Sequence, residues 1–144
     1  LEQLLSHAAE IREKTGDRAY FRAIHFGTEN VRVQKEVAAL RAEDFDAFLA
    51  AVKASGDSSF KYLQNVYTNH DITHQNVSVA LAVSDAILGS NGVSRVHGGG
   101  FAGTIQAFVK NEAVAEYKAA LDGVFGEGAC SVLMIRKYGG MQVL

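Results

Sequence analysis

Arg95-Val96-His97-Gly98-Gly99-Gly100-Phe101-Ala102-Gly103-Thr104-Ile105-Gln106-Ala107-Phe108-Val109 is the stretch that decides the fold. Gly98, Gly99, Gly100 and Gly103 place four glycines in six positions, a choice that costs backbone entropy. In return the chain gains positive φ, close backbone approach and amides free to face an anion. A bare connection between strands would need only a two-residue turn. Gly98, Gly100 and Gly103 also satisfy G-x-G-x-x-G, but that dinucleotide signal requires a helix after the last glycine. Residues 104–110 alternate instead, with Ile105, Ala107 and Val109 on one face and Gln106 and Phe108 on the other. The loop therefore joins two strands, and the context that a Rossmann arrangement needs fails. A P-loop is excluded as well, because Thr104 follows Gly103 directly and the phosphate-binding Lys is missing.

Upstream of this stretch the pattern is helical. Leu4, Ala8 and Ile11 recur at helical spacing, and Gly16 stops the run. Phe26, Val33, Val37 and Leu40 stripe the next segment, with Arg32 and Glu36 expected on its wet side. Phe45, Phe48, Leu49 and Val52 mark a helix over 43–55 that Gly56 is expected to close. Ser58 or Ser59 can cap a short helix bearing Phe60, Leu63 and Val66. Val77, Ala80, Leu81, Val83, Ile87 and Leu88 then form a wide apolar face ended by Gly89, which predicts the most buried helix.

Downstream, Asn111 can cap a helix bearing Val114, Tyr117 and Leu121, with Gly123 as its expected stop. Residues 131–137 predict a further strong strand, and Gly139-Gly140 a hairpin turn from which 141–144 pair back. The element order predicts an α+β fold, an antiparallel sheet with helices packed on one face.

The 144 residues are enough for one domain with a real core, and 48% apolar with 21% charged is ordinary globular composition. A net charge of -2 argues against a nucleic-acid partner, which calls for a basic face. No apolar run approaches the roughly 20 residues of a membrane helix. Cys130, the single cysteine, allows no internal disulfide and fits a cytoplasmic location. The chain opens on Leu1 within an amphipathic pattern, so residues 1–144 are expected to be one domain of a larger protein.

Other candidate residues carry weaker signals. His70 and His74 stand four apart, as two ligands of one zinc ion could. Asn69, Asp71 and Thr73 are turn residues, however, so a polar loop without metal is expected there. His7 is expected on a helix surface, and His25 at a helix start in a structural role. Cys130, without a basic neighbour in sequence, is expected to be a small core residue. Phe60, Tyr62 and Tyr67 are expected in the core.

Arg22-Ala23-Ile24-His25-Phe26-Gly27-Thr28-Glu29-Asn30-Val31-Arg32-Val33 resembles the RAxHVVxENxRV helix of galactokinases. The segment from His97 to Thr104 resembles their third motif, a TGGGFGG-type loop followed by a strand. Between them lie a Ser-Gly-Asp-Ser-Ser run and a buried helix, in matching order. The resemblance covers roughly residues 22–137 and departs from the motif at His97, Ala102 and Thr104, where Thr, Gly and Cys are usual.

It implies the C-terminal domain of a galactokinase-type GHMP small-molecule kinase, with a ferredoxin-like sheet, packed against a separate N-terminal domain. That half would hold ATP with Mg2+, the catalytic Asp and Arg, and most contacts to a galactose-like sugar. No catalytic residue is then expected in this chain. Its contribution would be the loop of Gly98, Gly99, Gly100, Phe101, Ala102 and Gly103, lying against phosphate and sugar. His97 could touch substrate or simply end a strand. The altered loop would equally suit a non-catalytic sugar- and nucleotide-binding sensor of the same family. A stand-alone ligand-sensing α+β domain is a third reading. Exposed inter-domain surface near the loop would favour self-association of the isolated chain. A side chain at Gly100 is expected to harm activity more than stability.

Overall fold

The computed structural model describes residues 1–136, Tyr138, Gly139 and Gln142. Its architecture is α+β. Helices α1 (Glu2–Ser6), α2 (Ala8–Thr15), α3 (Asp17–Arg41) and α4 (Phe45–Ser58) come first, and α4 widens into a π-helical turn over Ser59–Leu63. Helix α5 (Asn76–Leu88) leads into strands β1 (Gly92–Val96) and β2 (Ile105–Val109). A short 3-10 turn over Asn111–Ala113 opens α6 (Val114–Phe125). The strands pair antiparallel, with Val96 opposite Ile105 nearest the glycine loop and Gly92 opposite Val109 at the far end.

The sheet is covered on both faces, which corrects the expectation of helices on one face. Phe108 meets Phe48 of α4 edge-on, with ring centroids 5.3 Å apart. Ala107 and Val109 point the other way and pack against the buried cluster of Leu88, Tyr117 and Leu121 from α5 and α6. The period of two along a strand is what sends these neighbours to opposite layers. Inside the cluster the Tyr117 hydroxyl shares a 2.8 Å hydrogen bond with Ser84 Oγ, and burial raises the Tyr117 pKa. Cys130 packs on the same cluster, and burial pushes its thiol up as well.

Two expected helix ends are corrected. Gly56 lies inside α4, where a Cβ would come 2.9 Å from Arg95 Cβ. Its role is close approach of α4 to β1, so a helical glycine here marks packing. Helix α6 runs through Gly123 and ends at Gly126, whose φ of 102 only glycine adopts readily and whose amide closes on the Asp122 carbonyl at 2.8 Å.

Helix α3 turns a different face inward from the one its apolar stripe indicates. Phe26, Val33 and Leu40 are exposed. The wet side expected for Arg32 and Glu36 is half-buried against α4 and β1. There Glu29 pairs with Arg32, accepts a hydrogen bond from Ser55 Oγ, and lies 3.9 Å from Arg95 Nη1. Ser58 Oγ lies 2.9 Å from His25 Nδ1. This polar network holds α3, α4 and β1 together in place of an apolar seam.

The strand expected at 131–137 is also corrected. Residues 131–136 join no ladder among the described residues, and Leu133, Met134 and Ile135 are exposed. High strand propensity yields a strand only where the backbone pairs along a neighbouring strand, and residues 131–136 do not. Lys137, Gly140 and most of the expected return strand at 141–144 lie outside the described residues.

Candidate functional site

The glycine loop spans the open end of the β1–β2 ladder. His97 N donates to Thr104 O at 3.0 Å, the last rung of the hairpin. Within the loop Gly100 N donates to His97 O at 3.4 Å and Gly103 N to Gly100 O at 3.1 Å. Gly98, Gly100 and Gly103 take φ of 58, 82 and 76, the left-handed region that the glycine cluster anticipates. The amides of Gly98, Gly99, Phe101 and Ala102 make no backbone hydrogen bond among the described residues. Four free donors on one short loop suit an anion. His97 is exposed, with Nδ1 3.3 Å from Gln106 Oε1, and Phe101 stands 85% exposed beside the glycines.

Beneath the loop lies a residue without a sequence signal. The chain leaves the π-helical turn through Gln64, a non-glycine residue at φ 54 and ψ 47. Arg18 of α3 donates to the Gln64 carbonyl at 3.1 Å and fixes that turn. The next residue, Asn65, is 6% exposed, and neither its side-chain nitrogen nor its oxygen has a hydrogen-bond partner. Leaving a buried amide unpaired costs about 1–3 kcal/mol. A π-helical turn and a left-handed non-glycine residue are both features that gather at functional sites. Gly100 packs directly on Asn65.

Arg22, Leu63, Asn65, Gly99 and Phe101 border a cleft of about 330 Å³. The structure thus brings Gly99 and Phe101, two members of the expected site, together with Arg22 and Asn65, which sequence reasoning did not single out as ligand contacts. Gly98, His97, Ala102 and Gly103 belong to the loop but do not line this cleft. A second cleft, about 410 Å³, lies between α4, α5 and β1 and is lined in part by Lys53, Asp57, Asp85 and Ser94.

The remaining candidates resolve into structure. Asp71 accepts from the Thr73 hydroxyl at 2.7 Å, its Oδ2 lies 2.7 Å from His74 Nδ1, and it accepts from the Thr73 and His74 amides at 2.9 and 3.1 Å. These bonds hold Asp71 below the usual carboxylate range and make 70–74 a self-contained turn. Among the described residues no three His, Cys, Asp or Glu side chains gather as a metal site. His25 sits within α3 and not at its start; burial lowers its pKa, with Arg32 and Arg95 adding to the shift against Glu29. Glu36 is shifted up, first by burial and then by Glu29. Phe60 and Tyr67 pack on each other at 5.7 Å but remain partly exposed, outside the core expected for them. No helix among the described residues is long and apolar enough to cross a membrane.

No protein-family model and no solved structure matches the chain. Curated proteins do. The chain is 34% identical over 113 residues to a galactokinase of Glaesserella parasuis serovar 5, covering 78% of this chain and 27% of that protein. It is 32% identical over 113 residues to a galactokinase of Actinobacillus pleuropneumoniae, with the same coverage. Over most of its length the chain is a relative of the galactokinases, and it spans about a quarter of the length of the curated members it matches.

Proposed function

We propose that this chain is the C-terminal, GHMP-type domain of a sugar kinase. The complete kinase would transfer the ATP γ-phosphate to galactose or a related sugar, in the cytoplasm. The observation that carries the reading is the glycine loop. It is a hairpin connection with three left-handed glycines and four free amides, in a chain similar to proteins named galactokinase. In this role Gly98, Gly99, Gly100, Phe101, Ala102 and Gly103 orient and screen phosphate charge while the sugar is held nearby, so the loop acts by positioning and electrostatics.

ATP and Mg2+ would be held by an N-terminal domain, together with the residues that move the proton and polarise the phosphate. The exposed row of Phe26, Val33 and Leu40 on α3 and the exposed Phe101 are apolar surface of the kind that a partner domain covers. The test is ADP release from ATP and galactose, measured for this chain alone and for the complete protein that contains it. Background turnover from the chain and sustained turnover from the complete protein are expected. Sugar and nucleotide binding without turnover in the complete protein would turn the assignment to a sensor, and robust turnover by this chain alone would remove the two-domain reading.

A further inference from the structure

We propose that the second cleft, between α4, α5 and the outer edge of β1, is a binding site for a zwitterionic aliphatic α-amino acid, apart from the glycine loop. Its position follows from the strand. Ser94 and Arg95 are consecutive on β1 and point to opposite faces of the sheet, yet both border the cleft. A cleft that both reach lies along the outer edge of the strand, on the side away from β2. The rung from His97 N to Thr104 O fixes the alternation, which turns the Ser94 amide to that same edge. Ser94 is 8% exposed, and its hydroxyl has no hydrogen-bond partner among the described residues. A ligand that bonds to it removes the cost of that unpaired buried group.

The other polar groups sort by elimination. Lys53 Nζ lies 3.3 Å from Asp57, and the two close on each other. Ser78 Oγ donates to the Val66 carbonyl at 3.0 Å. Two charges of opposite sign remain. The Asp85 carboxylate is exposed at the cleft and makes no ion pair or hydrogen bond among the described residues. The Arg95 guanidinium is held in place, with Nε donating to the Val96 carbonyl at 3.1 Å and Nη1 3.9 Å from Glu29, and it keeps further N–H donors. One open anion and one open cation select a ligand that carries both charges over a simple anion or amine. Asp85 takes the ammonium, and Arg95 with the Ser94 hydroxyl and amide takes the carboxylate. Leu81, Ala82 and Phe60 suit an aliphatic side chain, and about 410 Å³ lies in the range of small-molecule clefts. Gly56 shapes the site. A Cβ there would come 2.9 Å from Arg95 Cβ and 3.2 Å from the Ser94 carbonyl oxygen, so glycine is what lets α4 close on β1 at this point.

The test is a titration of this chain with L-leucine, isocaproate and isoamylamine, followed through the backbone amide signals by NMR. The three share one branched apolar body, and the last two each lack one of the charges of leucine. L-leucine should give its largest shifts at Ser94, Arg95 and Asp85, with smaller ones in the glycine loop. Isocaproate and isoamylamine should each bind about tenfold more weakly or worse. Asp85→Asn should weaken leucine about tenfold and leave isocaproate binding as in the parent. Its melting temperature should not change, because Asp85 is exposed and unpaired among the described residues. Ser94→Ala should weaken leucine while the melting temperature holds or rises, since it removes an orphaned buried hydroxyl. Absence of any shift at millimolar leucine, equal binding of either single-charge analogue, leucine binding that survives Asp85→Asn, or shifts centred on the glycine loop would overturn the proposal. None of these readouts depends on turnover, so this site and the kinase reading stand or fall separately.

Discussion

Gly100 lies directly on Asn65. A Cβ at Gly100 would fall 2.9 Å from Asn65 Nδ2 and closer still to the Asn65 backbone oxygen, while φ at Gly100 is 82. The loop is therefore keyed to the segment leaving the π-helical turn, and the tip of the β-hairpin and the end of the α4 run form one unit.

This contact removes the ground for expecting stability to suffer little from a side chain at Gly100. Gly100 is buried, so Gly100→Val must move backbone and strain φ together. The expected loss is about 2–5 kcal/mol, combining overpacking with a left-handed β-branched residue. Urea denaturation of this variant beside the parent checks it. An unchanged midpoint would mean that the loop does not pack on Asn65.

The inward polar face of α3 gives a pH dependence with a definite sign. Folded His25 binds its proton less readily than the unfolded chain does, chiefly because it is desolvated. The unfolded state then takes up more protons, and this share of stability is lost as pH falls through and below about 6.5. Glu36 works oppositely. Its raised folded pKa means that the native state keeps a proton longer, so its share of stability is lost as pH rises above the ordinary carboxylate range. His25→Gln, which can still reach Ser58, should flatten the fall in melting temperature between about pH 7 and 5.5 relative to the parent. Parallel curves for the two proteins would show that His25 does not titrate with folding.

The core holds one side-chain hydrogen bond whose removal can be read by a double-variant cycle. Ser84→Ala leaves the buried Tyr117 hydroxyl without its partner and should cost about 1–3 kcal/mol. Adding Tyr117→Phe removes the orphaned hydroxyl and should recover most of that loss. Strictly additive losses would show that the bond contributes little.

What the sequence made legible is what local pattern controls. Alternation from Ile105 to Val109 and the apolar face of 77–88 became β2 and α5, and the glycine cluster became a loop with left-handed glycines. The misreadings arose where distant residues decide. Gly56 is a helix interior because β1 passes against it. The face that α3 turns inward is set by Ser55 and Arg95, which lie far along the chain. Residues 131–136 have a strand's composition but no ladder among the described residues. Asn65 is an ordinary residue by pattern, and it becomes notable only once the fold buries its amide under Gly100.

Whether the glycine loop faces the reacting groups is tested most directly at Gly99. A Cβ there would meet only Phe101 Cδ2, at 3.8 Å, an ordinary contact, and Gly99 borders the cleft. Gly99→Ala should therefore fold as the parent does. One added methyl on the ligand-facing side displaces phosphate or sugar by roughly 1 Å, which can cost about a hundredfold in rate. The measurement is kcat/KM for galactose in the complete kinase, taken with the melting temperature of the same variant. Turnover should fall about a hundredfold with an unchanged melting temperature. Unchanged turnover at unchanged stability would contradict it and leave the loop as a strand connection alone.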